Sequence, residues 1–172
     1  MVPTGRAVRP TSDRVREGLF NTLGTLVDLA GARFLDLYAG SGAVGIEAYS
    51  RGAAAVLLVE SDPKAVRAIR SNIDALGLAP TVTLSVGSVR AVLTSGTPAP
   101  YDVVFIDPPY DLPQARLVEV QQVLADAGWL ASGAVLVIER ATRSGAVAWV
   151  DPVTTVRARR YGETTLWYGR RS

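Results

Sequence analysis

Residues 36–45 read Asp36-Leu37-Tyr38-Ala39-Gly40-Ser41-Gly42-Ala43-Val44-Gly45 and contain the spacing G-x-G-x-x-G. The apolar segment Arg33–Leu37 predicts a strand that leads into this turn, and a helix is predicted after it. Glycine turns in this setting bind nucleotides. Gly40 permits the tight turn, Gly42 lets a ligand approach the backbone, and Gly45 lets the helix pack closely on the sheet.

Two acidic residues flank the glycine turn and indicate the kind of cofactor. Glu60 follows the next predicted strand, where its carboxylate can accept both hydroxyl protons of a ribose. Asp36 lies just before the glycines, where it would repel a pyrophosphate but suit the ammonium group of an amino acid. The pair therefore favours S-adenosylmethionine over a dinucleotide. The alternatives are that the turn is purely structural and that Asp36 caps backbone amides of the turn.

The tetrapeptide Asp107-Pro108-Pro109-Tyr110 follows the predicted strand Tyr101–Ile106. Open α/β folds bind ligands at the carboxyl edge of the sheet, which is where this segment is expected. The prolines restrict the turn, so that the Asp107 carboxylate and the Pro108 carbonyl stand side by side as two acceptors. Two acceptors next to a tyrosine ring can hold an amino group attached to a flat base. The alternative is a rigid turn in which Asp107 acts as a cap.

Strands and helices alternate along the chain. The predicted helices are Thr11–Leu29, Ala43–Arg51, Pro63–Leu76, Ser88–Leu93 and Leu112–Ala127. The predicted strands are Arg33–Leu37, Ala55–Val59, Thr81–Ser85, Tyr101–Ile106, Ala134–Ile138, Val153–Tyr161 and Thr164–Tyr168. This order predicts a single α/β domain over residues 1–172 with a Rossmann-like fold. Its sheet is mostly parallel and seven-stranded, with helices on both faces and a C-terminal antiparallel hairpin.

Composition narrows the chemistry. The chain of 172 residues has no cysteine and no histidine, so thiolate nucleophiles, disulfides and imidazole bases are excluded. No metal site is expected. The longest wholly apolar run, Ala53–Val59, is much shorter than the roughly 20 residues of a membrane span, and a signal peptide is absent. A cytoplasmic protein without membrane contact is therefore expected.

Positive charge is concentrated at both ends of the chain. Residues 1–20 carry four arginines and two acids, and residues 151–172 carry five arginines and two acids. The residues between them carry nine basic and twelve acidic side chains, so the middle is slightly acidic. This distribution indicates an anionic partner that contacts both ends. The alternative is that these arginines are ordinary solvated charges.

Four segments resemble the RsmD family of bacterial 16S ribosomal RNA (guanine-N2)-methyltransferases, which belongs to the class I S-adenosylmethionine-dependent methyltransferases. The segments are Arg9-Pro10-Thr11-Ser12-Asp13-Arg14-Val15-Arg16-Glu17, Phe20-Asn21, Asp36-Leu37-Tyr38-Ala39-Gly40-Ser41-Gly42 and Asp107-Pro108-Pro109-Tyr110. The last two specify only methylation of an amino group, whereas the first specifies the family.

The resemblance implies a role for each segment. Asp107 and Pro108 would bind the guanine N2 amino group, with Pro109 in the same turn and Tyr110 stacked on the base. S-adenosylmethionine, which leaves as S-adenosylhomocysteine, would contact Asp36, Tyr38, Ala39, Gly40, Ser41, Gly42, Glu60, Ser61, Ser88 and Val89. Because no acid follows the third strand, adenine would rest on the backbone amide and hydroxyl there. RNA would contact Arg9, Thr11, Arg14 and Arg16. The positive charge at the C-terminus adds Arg159 and Arg160 as expected RNA contacts.

The N-terminus departs from the family pattern. Family members usually carry a further basic, glycine-containing stretch before Arg9, whereas only Met1–Val8 precede it here. The usual N-terminal hairpin is therefore expected to be missing, and residues 1–11 form a basic segment that faces RNA. The protein is expected to be a monomer. Its expected partner is ribosomal RNA or a small-subunit assembly particle. The alternatives are methylation of adenine N6 or protein glutamine, an NAD-dependent oxidoreductase, and a nucleic-acid-binding module without activity.

Overall fold

The computed structural model describes residues 12–172. Its helices are α1 (Asp13–Leu26), α2 (Ala43–Ser50), α3 (Pro63–Leu76), α4 (Val89–Thr94) and α5 (Gln114–Asp126), with a short 3₁₀ turn at Thr142–Ser144. Its strands are β1 (Arg33–Leu37), β2 (Ala55–Glu60), β3 (Val82–Val86), β4 (Tyr101–Ile106), β5 (Leu130–Ala141), β6 (Val153–Tyr161) and β7 (Thr164–Arg171). The predicted RNA contacts Arg9 and Thr11, together with the basic segment 1–11, lie outside the described residues.

All seven strands join one sheet in the order β3-β2-β1-β4-β5-β7-β6. Strands β1 to β5 are parallel, whereas β7 runs antiparallel to both β5 and β6. The predicted mostly parallel sheet with a C-terminal hairpin is confirmed. The chain moves outward from β1 to β3 and then returns to place β4 on the other side of β1. Ligands bind open α/β sheets at such a switch point, here between the carboxyl ends of β1 and β4.

Predicted capping residues form the starts of α1 and α3. The Ser12 hydroxyl accepts a hydrogen bond from Val15 N at 3.2 Å, and the Asp62 carboxylate accepts one from Ala65 N at 3.1 Å. These side-chain oxygens satisfy backbone amides that have no partner within the first helical turn. Gly77, with φ +63°, ends α3 in the left-handed conformation that favours glycine. Local sequence therefore determines where these helices begin and where α3 ends.

The end of α1 differs from the predicted helix, which extended to Leu29. The structure ends α1 at Leu26, and Val27 is already extended with φ −151°. The Leu26 carbonyl accepts a hydrogen bond from Arg170 Nη2 at 2.7 Å. A carbonyl at the end of a helix needs a partner, and a side chain 144 residues away provides it. The prediction was wrong here because the apolar spacing continues beyond the helix.

Further boundaries differ for reasons that lie outside the local pattern. Strand β7 continues past the predicted Tyr168 to Arg171, which pairs with Val153 of β6. Strand β5 is much longer than the predicted Ala134–Ile138, because its first residue, Leu130, pairs with Tyr101 of β4 and its polar end pairs with β7 as far as Ala141 opposite Thr164. Helix α5 begins at Gln114 rather than at Leu112. Its predicted first residue instead belongs to the preceding turn, since Leu112 N donates to Pro109 O at 2.9 Å.

The helices cover both faces of the sheet. Helices α1, α2 and α3 pack on one face, around buried side chains such as Phe20, Phe34 and Ile69. Helices α4 and α5 pack on the other, around side chains such as Leu93 and Leu124. No helix within residues 12–172 has the length and apolar content needed to cross a membrane.

The turn of the β6–β7 hairpin lies at the carboxyl edge of the sheet, next to the start of α1. Ala141 pairs with Thr164, and Tyr161 pairs with the same residue from the other side. The start of α1 packs against this end of the hairpin, where the Arg14 guanidinium lies 5.8 Å from the centre of the Tyr161 ring. A Cβ on Gly18 would overlap the Tyr161 hydroxyl, so the glycine permits this contact.

Candidate active site

The glycine turn connects β1 to α2 through three left-handed residues. Tyr38 has φ +59°, Gly40 has φ +59° and Gly42 has φ +81°. Tyr38 is the one residue other than glycine with positive φ in the part of the chain that the structure describes. Strained backbone of this kind is concentrated at functional sites, where the surrounding structure maintains it.

Open space at this turn lies beside Gly40 rather than Gly42. A Cβ on Gly40 would meet no atom within 4 Å. A Cβ on Gly42 would lie 3.0 Å from Leu58 Cδ1, so this glycine serves the turn and the packing beneath it. The sequence predicted that a ligand approaches the backbone at Gly42, whereas the structure leaves space for a ligand at Gly40.

Gly45 lets α2 pack directly on the sheet, as predicted. A Cβ at this position would overlap Leu58 Cδ2 and lie 3.0 Å from Val56 Cγ1. Both side chains belong to β2 and are almost fully buried. The close packing holds the N-terminal turn of α2 beneath the glycine turn.

Substitution Gly45→Ala is expected to lower the free energy of unfolding by about 1–3 kcal/mol, because the added methyl group overfills the contact with β2. Urea denaturation measures this change. The matched control is Gly24→Ala in α1, where a Cβ would meet no atom within 4 Å. There alanine favours the helix and should raise stability by up to about 1 kcal/mol. Equal effects of the two substitutions would contradict the packing role of Gly45.

Asp36 lies beneath the turn and caps it. Its Oδ2 atom accepts a hydrogen bond from Gly45 N at 3.0 Å, and the residue is only 1% exposed. Burial raises the pKa of the Asp36 carboxyl well above its usual value, and nearby Glu60 raises it further, while the bond from Gly45 lowers it. This geometry supports the capping alternative over a direct contact with the ammonium group of a cofactor.

Glu60 organises the loops at the carboxyl ends of β1 and β2. Its Oε1 accepts from Gly40 N at 2.7 Å, and its Oε2 accepts from Ser61 N and Asp62 N, both at 2.9 Å. The residue is 5% exposed. Glu60 also lines the cavity that opens at this edge of the sheet. Glu60 is therefore a loop anchor as well as a candidate ligand contact.

A cavity of about 420 Å³ opens beside Glu60. This volume lies within the range of about 300–1,000 Å³ that is typical of small-molecule sites. Its walls include five of the ten predicted cofactor residues, namely Tyr38, Glu60, Ser61, Ser88 and Val89. Its walls also include apolar side chains and the exposed charged side chains of Arg90, Arg116 and Glu119. An acid at one end and apolar side chains on the walls fit a nucleoside, with the ribose beside Glu60 and the base against the apolar side chains.

The other predicted cofactor residues do not line this cavity. Ala39, Gly40, Ser41 and Gly42 form the adjoining turn, and Asp36 lies beneath it. The far wall comes from α4, α5 and the turn that precedes α5, and it includes Leu93, Leu112, Val120 and Val123, which the sequence did not single out. Their apolar spacing is the same as that of ordinary core residues, so it carries no signal of a ligand site.

The turn that contains Asp107 lies directly beside the glycine turn. Leu37 at the end of β1 pairs with Ile106 at the end of β4, and Asp107 N donates to Leu37 O at 3.4 Å. Asp107 is partly buried, whereas the Tyr110 ring is 62% exposed. The proposed acceptor groups and an exposed aromatic ring therefore lie next to the predicted methionine end of a cofactor.

The predicted RNA-binding arginines have different surroundings. Arg16 pairs with Asp13 at 2.8 Å and with Glu47 at 3.8 Å, which supports its alternative interpretation as an ordinary surface charge. Arg14 lies against Tyr161, as described above. Arg159 and Arg160 are exposed and donate to backbone carbonyls of the hairpin.

Part of the C-terminal positive charge has a structural role. Arg170 donates to Leu26 O at 2.7 Å and to Gly133 O at 3.3 Å, and Arg171 donates to Leu130 O. These bonds join β7 to the end of α1 and to β5. The charge at the two ends of the chain is therefore divided between packing and an exposed group made of Arg14, Arg159 and Arg160.

The chain is similar to a known protein family and to individual proteins in sequence and in fold. The family described as "Conserved hypothetical protein 95" matches residues 1–170. The chain is 37% identical over 144 residues to the ribosomal RNA small subunit methyltransferase D of Escherichia coli K12, covering 84% of this chain and 70% of the relative. The fold is similar to that of a conserved hypothetical protein from Streptococcus pyogenes, with TM-score 0.80, 29% identity and coverage of 92% and 96% of the two chains.

A more distant structure shows the same architecture. It is an RNA methyltransferase from Salinibacter ruber in complex with S-adenosyl-L-homocysteine, with TM-score 0.67, 20% identity and coverage of 94% and 93% of the two chains. At this identity the likeness concerns the fold alone, which is that of the class I S-adenosylmethionine-dependent methyltransferases. The family match over residues 1–170 and the similarity to methyltransferase D together show that this chain belongs to the conserved hypothetical protein 95 family, the RsmD family.

Proposed function

We propose that this protein transfers a methyl group from S-adenosylmethionine to the exocyclic N2 amino group of a guanine in small-subunit ribosomal RNA. The observation that carries the proposal is the adjacency of two turns: Asp107 N donates to the carbonyl of Leu37, the last residue of β1 before the glycine turn. One turn suits a cofactor and the other suits an amino group. The RNA substrate rests on the name of the Escherichia coli relative and on the family resemblance.

The residues of the second turn position the nucleophile. The Asp107 carboxylate and the Pro108 carbonyl accept the two N–H groups of the guanine amine and direct its lone pair toward the cofactor. The Tyr110 ring stacks on the base. Orientation of this kind can supply several kcal/mol of barrier lowering, about 7–11 kcal/mol in the most favourable cases. Bound S-adenosylmethionine supplies an electrophilic methyl group with its own leaving group. After transfer, the excess proton on nitrogen passes to Asp107 or to water.

The cofactor would be held by the first turn and by the cavity. Gly40 offers open space for close approach of the methionine part, Glu60 accepts from the ribose, and Ser88 and Val89 border the adenine. The Ser88 hydroxyl oxygen already accepts from Ala91 N at 3.1 Å, so its proton remains available for an adenine nitrogen. None of these contacts needs a metal ion.

A methyl-transfer assay with ribosomal RNA tests this function. The protein is incubated with methyl-labelled S-adenosylmethionine and either free 16S RNA or small-subunit particles, and the nucleosides are identified by mass spectrometry. We expect N2-methylguanosine at one position. Labelled N6-methyladenosine, labelled protein glutamine or no transfer at all would overturn the proposal. Separate titrations with S-adenosylhomocysteine and with NAD distinguish a methyltransferase from an NAD-dependent oxidoreductase. We expect S-adenosylhomocysteine to bind and NAD not to bind.

We infer further that the chain acts as a single domain and as a monomer, with RNA bound at the carboxyl edge of the sheet. Arg14, Arg159 and Arg160 lie at this edge, on the same side as the Asp107 turn. Arg9 and Thr11 in the basic segment 1–11 are proposed to contact the RNA as well. An rRNA substrate places the activity in the cytoplasm.

Substitution of Arg159 and Arg160 together by alanine should weaken RNA binding and flatten its salt dependence. The slope of log K against log salt should fall by roughly 0.7–0.9 for each phosphate contact that is lost. Filter binding or fluorescence anisotropy at several salt concentrations measures this. The control is the double substitution Arg67→Ala and Arg70→Ala, which removes the same charge from the exposed surface of α3. If both double variants change the slope equally, only net charge matters and the assigned surface is wrong.

A further inference from the structure

Arg140 is a buried cation that the mechanism described above does not use. It lies near the carboxyl end of β5 and is 7% exposed. Its neighbours in alternation, Leu136 and Ile138, belong to the core beneath α4 and α5, so Arg140 projects to this face as well. A charged side chain in such a place requires an explanation, because arginine is rarely buried without a partner.

One hydrogen bond directs the Arg140 guanidinium toward the turn before α5. Arg140 Nη2 donates to the carbonyl oxygen of Leu112 at 3.0 Å. Within residues 12–172, its buried Nη1 has no hydrogen-bond partner and Arg140 takes part in no ion pair. Burial also lowers the pKa of the Arg140 guanidinium. An apolar side chain of similar volume would suit the core at least as well, so stability alone does not account for Arg140.

Leu112 is the residue that closes the Asp107 turn. Its amide donates to Pro109 O at 2.9 Å, and its side chain lines the cavity beside Glu60. At the other end of the turn, Asp107 N donates to Leu37 O at 3.4 Å. The turn is therefore attached to β1 at its start and to β5, through Arg140, at its end.

We infer that Arg140 is a positioning residue that holds the Asp107–Leu112 turn at a fixed distance from the cofactor cavity. The inference rests on the proposed function, since the position of this turn affects the rate only if the turn holds the nucleophile. Displacement of a reacting group by about 1 Å can cost roughly 100-fold in rate. Loss of the bond to Leu112 would release one end of the turn while the bond from Asp107 keeps the other in place.

Two variants of Arg140 test the inference. Arg140→Met fills the same space without charge or donors, and Arg140→Lys keeps the charge and can donate to Leu112. We expect Arg140→Met to lower kcat by roughly 10- to 100-fold with little change in Tm, and Arg140→Lys to restore part of the loss. Hydrogen exchange provides a second readout that needs no substrate. The Leu112 amide should exchange roughly tenfold faster in Arg140→Met than in the unmodified protein.

Arg170→Met is the matched control, because Arg170 also donates to backbone carbonyls but at the end of α1. It should lower Tm while kcat and the exchange of Leu112 stay unchanged. Arg140→Met with unchanged kcat and unchanged exchange at Leu112 would overturn the inference, whatever happens to Tm. If the unmodified protein methylates no guanine, the proposed function fails instead, and the exchange experiment still decides whether Arg140 holds the turn.

Discussion

Substitution Asp107→Ala is expected to lower kcat for methyl transfer by about 10²–10⁴-fold, which corresponds to roughly 3–5 kcal/mol of transition-state stabilisation. Affinity for S-adenosylhomocysteine should change little, because Asp107 does not line the cavity beside Glu60 and its proposed contact is with the base. Single-turnover rates with saturating RNA, together with calorimetric titration of S-adenosylhomocysteine, measure both quantities. An Asp107→Ala variant with nearly normal turnover would reduce the tetrapeptide to a structural turn.

Asp107→Asn separates orientation from charge. Asparagine keeps a carbonyl acceptor but loses the negative charge. Substantial activity in this variant would show that Asp107 mainly orients the amino group, whereas activity as low as in Asp107→Ala would show that the charge stabilises the transition state. The matched control is Asp111→Ala, which removes an exposed carboxylate from the same loop and should leave kcat unchanged.

Substitution Glu60→Ala is expected to weaken S-adenosylhomocysteine binding by roughly 10- to 100-fold, as the loss of one charge-assisted hydrogen bond costs about 1.5–3 kcal/mol. The structure adds a second expectation. Three backbone amides lose their acceptor, including Gly40 N, so the free energy of unfolding should also fall by about 1–3 kcal/mol. Calorimetric titration and urea denaturation measure the two effects.

Glu60→Gln distinguishes the two roles of this side chain. One of its terminal atoms becomes a donor that faces a backbone amide, so the loops should be disturbed although the volume is kept. The control is Glu47→Ala, which removes a partly exposed carboxylate that pairs with Arg51 at 2.9 Å. That substitution should leave cofactor affinity unchanged. Unchanged affinity in Glu60→Ala itself would exclude a contact between Glu60 and the ribose.

Local sequence predicted the elements on which the fold depends. Strands β1 and β4 begin and end where the apolar segments do, and Asp62 and Gly77 bound α3 as expected. These features depend on apolar runs and on capping, which act over a few residues. The motifs 36–45 and 107–110 follow β1 and β4, so their meeting at one edge follows from parallel pairing of the two strands.

Tertiary structure alone decided what several predicted site residues contact. Asp36 caps Gly45, Glu60 accepts from Gly40, and Arg16 pairs with Glu47. The sequence identified Asp36, Glu60 and Arg16 as ionisable groups near a turn or a terminus. It could not show which donors stand opposite them, because that depends on strand register and helix packing. From the sequence, two roles were therefore open for Asp36: capping the amides of the turn or binding the ammonium group of the cofactor.

The sequence by itself determined the order of strands and helices, the two turns and the absence of histidine and cysteine chemistry. Only the tertiary structure joined Arg140 of β5 to Leu112, and Arg170 of β7 to the end of α1. Both arginines come from strands whose pairing extends beyond the apolar pattern. Contacts between residues far apart in the chain arise from the packing of whole helices and strands. The local periodicity of apolar residues does not show which distant residues will meet.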